Sequence, residues 1–125
     1  MMEHEDVVVL VIDDSNTIRR SAETILTREG YTVKTAADGF DALSKFRDNT
    51  PSIVFVDIMM PRLDGYQTCS LIKHNEQYKE IPVIMLSSKD GIFDRAKGRI
   101  VGSCAHIAKP FSKDDLLTAI NKYCQ

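Results

Sequence analysis

Ile53-Val54-Phe55-Val56-Asp57-Ile58-Met59-Met60-Pro61 is the stretch whose reading decides the fold. Four apolar residues run without a polar break and then meet a single carboxylate. The run is rich in Val, Ile and Phe and is bounded by Pro51-Ser52 and Pro61. Such a segment describes a strand covered on both faces. A charge inside it would be costly, which places Asp57 at the C-terminal end, facing a cleft. Open α/β sheets hold their ligands along that edge. Taken alone, Asp57 reads equally well as the first polar residue of a turn.

A second apolar run, Val7-Val8-Val9-Leu10-Val11-Ile12, also ends in carboxylates, Asp13-Asp14. Adjacent acids repel one another and end a strand poorly unless a cation or a lysine compensates. Asp14 or Ser15 could simply cap the helix that follows, which accounts for one acid but not easily for both. That helix runs to Glu29, with Ile18, Ala22, Ile25 and Leu26 at helical spacing and Gly30 as its C-cap.

Tyr31 to Ala36 alternates and is β-branched, a short strand. Asp38-Gly39 opens a second helix, in which Phe40, Leu43 and Phe46 share a face. Past the central strand, Pro61 to Gly65 is a turn, with Asp64 placed to cap a helix marked by Tyr66, Cys69, Leu71 and Ile72.

Ile81 to Leu86 is a fourth strand that ends in Ser87-Ser88. Lys89 to Val101 is weakly helical: Ile92, Phe93, Ala96 and Ile100 share a face that Gly91 and Gly98 interrupt, so this is expected to be the most irregular element. A short strand from Cys104 to Ala108 leads through Lys109-Pro110-Phe111 into a last helix. Ser112 to Asp115 resembles its capping box, and Leu116, Leu117, Ile120, Tyr123 and Cys124 form its buried side.

Five strands alternating with five helices imply an α/β (βα)5 doubly wound sheet, all parallel, with right-handed crossovers and helices on both faces. The 125 residues suit one domain, with its core over about 7–123. A net charge of −2 gives no nucleic-acid or acidic-membrane footprint. The acidic start has no basic signal-peptide region, and no apolar run reaches the ~20 residues of a membrane span. Cys69, Cys104 and Cys124 have no zinc-like spacing and read as buried or partly buried thiols of a reducing cytosol.

In a parallel sheet all strands end at one edge. Asp13, Asp14, Asp57, Ser87 and Lys109 therefore converge on a single rim. Clustered carboxylates need a divalent cation, and oxygen ligands with no His or Cys nearby favour Mg2+ over zinc. Acids, one hydroxyl and one lysine suit phosphoryl transfer, with an aspartate attacking phosphorus.

Asp13-Asp14, Asp57 with Met60-Pro61, Asp64-Gly65, Ser87, and Lys109-Pro110-Phe111, in this order, resemble the receiver domain of bacterial two-component response regulators. The resemblance spans about Val7 to Tyr123 and implies the flavodoxin-like strand order 2-1-3-4-5 and a signalling role rather than an enzyme. Asp57 would accept the phosphoryl group from a sensor histidine kinase. Asp14, Asp57 and the backbone carbonyl of Met59 would ligate Mg2+, with Asp13 acting through water. Lys109 would pair with Asp57 or with the phosphoryl group, Ser87 would close on a phosphoryl oxygen, and Lys109-Pro110 would be cis.

The family's aromatic switch position is His106 here, where Tyr or Phe is commoner. A solvent-facing ring is the plainer reading, and a switching imidazole would titrate at about pH 6.5 when unperturbed. The positions that tune phosphate lifetime in the family are Met59 and Lys89. Neither orients a water, which implies slow to moderate autodephosphorylation.

Asp57 to Cys69, Leu86 to Gly91 and Lys97 to Ser103 resemble stand-alone chemotaxis-type receivers acting on type IV pilus twitching motility. That implies a cytoplasmic protein without an output domain, which binds a pilus or motor regulatory protein through its helix 4–strand 5–helix 5 face. A phosphate sink and a phosphorylation-independent scaffold are alternatives. A haloacid-dehalogenase-like phosphatase is disfavoured, because Ser15 stands where its second acid belongs.

Overall fold

The computed structural model describes residues 4–88 and 95–124. Its chain order is β1 (His4–Ile12), α1 (Asn16–Arg28), β2 (Tyr31–Ala36), α2 (Gly39–Asp48), β3 (Ile53–Asp57), α3 (Gly65–Lys73), β4 (Val83–Ser87), α4 (Arg95–Val101), β5 (Ala105–Ala108) and α5 (Lys113–Tyr123). The sheet runs β2-β1-β3-β4-β5 and every pairing is parallel, the order expected above.

β3 and β4 are buried along their whole length, as continuous apolar runs demand. The two faces of the sheet carry two separate cores. On one, Leu10, Val54, Val56 and Met85 pack with Ala42 and Phe46 of α2 and with Tyr66, Cys69 and Ile72 of α3. On the other, Val9, Val11 and Phe55 pack with Ala22 and Leu26 of α1 and with Leu116, Ala119 and Ile120 of α5.

Local polar chemistry sets where the helices start. Ser15 caps α1, its hydroxyl accepting from the amide of Ile18, and Asp38 caps α2 by accepting from the amide of Asp41. Asp64–Gln67 and Ser112–Asp115 form full capping boxes on α3 and α5. Gly30 follows α1 with φ 94°, and Gly102 follows α4 with the same value, the left-handed turn that ends helices at low cost in glycine.

Several expected faces are corrected. Phe40 is exposed and Leu43 only half-buried, because the inward side of α2 is Gly39, Ala42 and Phe46. Leu71 likewise points outward from α3, while Ile72 is buried. On α4, Ala96 and Ile100 are exposed and Gly98 faces inward. Ile92, Phe93 and Gly91 lie outside the described residues. Cys104 is exposed, unlike buried Cys69 and half-buried Cys124, and all three thiols are free.

Candidate functional site

The acids at the ends of β1 and β3 meet as the topology requires. Asp13, Asp14 and Asp57 each offer one carboxylate oxygen, and these oxygens lie within 4.8 Å of one another. Asp13 is fully buried and Asp57 is 3% exposed, whereas Asp14 reaches solvent. The Asp13 carboxylate accepts from the Ser15 amide at 2.9 Å and from Lys109 Nζ at 3.1 Å. Lys109 also reaches Asp57 Oδ1 at 3.2 Å, so one ammonium bridges two buried acids.

These charges reshape one another. Burial, and then the charge of Asp13, push the Asp57 carboxyl up to about 6, against the opposing pull of Lys109 and the Met59 amide. For Lys109, burial works to lower the value, but the charges of Asp13 and Asp57 outweigh it and hold the ammonium above its usual range. Among the described residues Lys109 is the cation paired with these carboxylates, and one ammonium for three acids leaves the rim short of positive charge. The donors are all oxygen and one acid opens to solvent, so the cluster fits a hard divalent cation such as Mg2+.

The other rim residues occupy the same edge. Ser87 ends β4 and is buried, and its carbonyl accepts from the Lys109 amide at 2.6 Å. The Lys109–Pro110 peptide bond is cis. His106 is half-buried on β5, in register with Met85 of β4. The exposed Met59 donates its amide to Asp57 Oδ1 at 3.3 Å. Lys89 lies outside the described residues.

The loop between β3 and α3 holds features that sequence reasoning did not single out. The Gly65 amide donates to the Ile58 carbonyl at 2.9 Å. A Cβ on Gly65 would stand 2.4 Å from the Asp57 carbonyl oxygen, so α3 can start against the strand end only through glycine. Arg62 has φ 68° and donates to Asp38 at the start of α2 at 2.8 Å. The Asp-Gly following a proline turn was a signal for the first feature. The Arg62–Asp38 pair joins residues 24 apart, and no local pattern announces it.

Residues 9–121 match the family model described as the response regulator receiver domain, and the chain belongs to that family. It is 67% identical over 115 residues to Protein PilG of Pseudomonas aeruginosa, a match covering 92% of this chain and 85% of that protein. The probable transcriptional regulator ycf27 of Pyropia yezoensis is 42% identical, and the chain spans 46% of its length. Among solved structures, chemotaxis protein CheY4 of Vibrio cholerae superposes with a TM-score of 0.87 at 31% identity, covering 94% of this chain and 98% of that one. The NtrX receiver domain of Brucella abortus gives 0.84 at 35%, covering 93% and 97%.

Proposed function

We propose that this chain is a stand-alone response regulator. It accepts a phosphoryl group on Asp57 from a chemotaxis-like sensor histidine kinase in the cytoplasm, and it signals by phosphorylation-dependent binding to a regulator of type IV pilus twitching motility. The observation that carries this reading is the Asp57 carboxylate at the end of β3, within 4.8 Å of oxygens from Asp13 and Asp14 and 3.2 Å from Lys109. The similarity to Protein PilG supports the pilus pathway.

In the transfer, an Asp57 carboxylate oxygen attacks the phosphorus of a phosphohistidine. The P–N bond breaks, its electron pair returns to the imidazole, and an acyl phosphate forms on Asp57. With its pKa pushed up to about 6, Asp57 is mostly ionised at neutral pH and able to attack. Lys109, already beside Asp57, neutralises the phosphoryl oxygens. Asp14, Asp57 and the Met59 carbonyl would hold Mg2+, with Asp13 acting through water, and the ion would supply further positive charge when bound. Ser87 donates a hydrogen bond to a phosphoryl oxygen, and His106 and the helix 4–strand 5–helix 5 face relay the change. The Met59 side chain carries no carboxylate or amide group to orient a water, which favours a slow to moderate loss of the phosphoryl group.

The test is intact mass after incubation with a small acyl phosphate and Mg2+. Wild type gains one phosphoryl group and Asp57→Ala gains none. Equal gain in both proteins, or none in folded wild type even with a chemotaxis-like kinase, sinks the reading and leaves the scaffold.

A further inference from the structure

Arg62 has a Cβ yet sits at φ 68°, a conformation that L-residues with side chains disfavour by about tenfold. Its Nη2 lies 2.8 Å from Asp38 Oδ2. Asp38 is doubly used, because its other oxygen caps α2 by accepting from the Asp41 amide at 2.8 Å. The next residue, Leu63, lies directly over Gly39: a Cβ there would stand 2.5 Å from Leu63 Cδ2. The loop from Met59 to Asp64 is thus gripped from outside by the first turn of α2, through one charge pair and one apolar contact. At its other end the same loop touches the site, where Met59 donates its amide to Asp57 Oδ1.

The pair itself is modest in strength, since Arg62 is well exposed and Asp38 half-buried, and such bridges hold their geometry only by a few-fold. The left-handed turn costs somewhat more. The pair offsets part of that cost and the Leu63 contact over Gly39 holds the rest, so loss of the pair lets the turn relax and carries Met59 with it.

We infer that Arg62 and Asp38 are positioning residues for the cation site: they hold the Met59 backbone against Asp57 and so set the Mg2+ affinity. This rests on the proposed Mg2+ site. Charge alone predicts the opposite for Arg62, because removing a cation near clustered acids would tighten Mg2+ binding. Outer-shell partners of metal ligands change metal affinity by about tenfold or more when lost, and this exposed pair belongs at the lower end.

The experiment is calorimetric Mg2+ titration of the full chain, with thermal melts to establish folding. Arg62→Ala weakens binding by about threefold to tenfold. Arg62→Gly also loses the pair but adopts the left-handed turn freely, and it stays within about twofold of wild type. Asp38→Asn keeps a good helix cap and weakens binding as Arg62→Ala does. A folded Arg62→Ala that binds Mg2+ as tightly as wild type or tighter overturns the inference, as does an Arg62→Gly as weak as Arg62→Ala. Wild type that binds no Mg2+ overturns the reading of the site itself and this inference with it.

Discussion

β3–α3 and β4–α4 are consecutive strand–helix units of one sheet, built on the same plan and finished differently. Both strands are fully buried and end at the same rim, one in Asp57 and the other in Ser87. α3 opens with a capping box, starts against the Asp57 carbonyl through Gly65, and buries Tyr66, Cys69 and Ile72. α4 spans seven residues, and among the described residues its contacts run chiefly to α3. Lys97 lies 4.7 Å over the Tyr66 ring, Cys69 Sγ donates to the Val101 carbonyl at 3.4 Å, and Gly102 packs over the stem of Lys73. The acidic strand end feeds an anchored helix, and the hydroxyl end feeds one that leans on its neighbour.

The sharpest test uses one residue type on each helix. Ile72 is 1% exposed on α3 and Ile100 is 84% exposed on α4. Ile72→Ala is expected to cost about 3–4 kcal/mol, the transfer term plus a cavity, read from urea midpoints. Equal losses for Ile72→Ala and Ile100→Ala would break the comparison.

Gly65→Ala attacks the anchorage of α3. The new Cβ meets backbone, 2.4 Å from the Asp57 oxygen and 2.7 Å from the Ile58 Cα, and neither can swing aside. A loss of about 2–3 kcal/mol is expected, with phosphoryl uptake at Asp57 impaired in whatever protein remains folded. Unchanged stability and uptake would show that the close approach is not needed.

The two strand ends are separated by Asp57→Asn and Ser87→Ala. Asp57 rises from its ordinary 3.8 to about 6 on folding. Between those values the folded state holds a proton that the unfolded chain has released, so stability falls as pH rises through that window. The penalty is absent below pH 3.8, complete above pH 6, and at most about 3 kcal/mol. Asp57→Asn should therefore stabilise the protein by about 2 kcal/mol at pH 7.5 in chelator, with the gain fading as pH falls from 6 to 4. Ser87→Ala should show no such pH dependence. A pH-independent gain in Asp57→Asn would remove the burial and Asp13 account.

The smallest effect is expected at Ile100→Ala, within about 0.5 kcal/mol of wild type, because its side chain already meets water.

What could be read in the chain follows the same divide. β3 is legible because four uninterrupted apolar residues before one acid leave a two-sided buried strand as the natural solution. Asp64, Ser112 and Ser15 declare their helices because capping is local chemistry within three residues. Phe40, Leu71 and Ile100 mislead because an apolar residue beside a buried face satisfies helical spacing almost as well as one on it. At the rim, parallel topology alone predicted that Asp13, Asp57 and Lys109 would meet. That one lysine would bridge both acids, and that Arg62 would reach Asp38, are tertiary pairings with no sequence period.

The strand order has a temporal consequence. β1 lies between β2 and β3, so the chain first builds outward to β2 and then reverses to lay β3, β4 and β5 on the other side. As the polypeptide leaves the ribosome, β1, α1 and β2 can associate early as a local unit. The other edge of β1, Val9 to Ile12, then stays open until Ile53 to Val56 emerge to pair with it. For that interval a central strand of the finished protein is an unprotected apolar edge, the kind of template that neighbouring nascent chains can join.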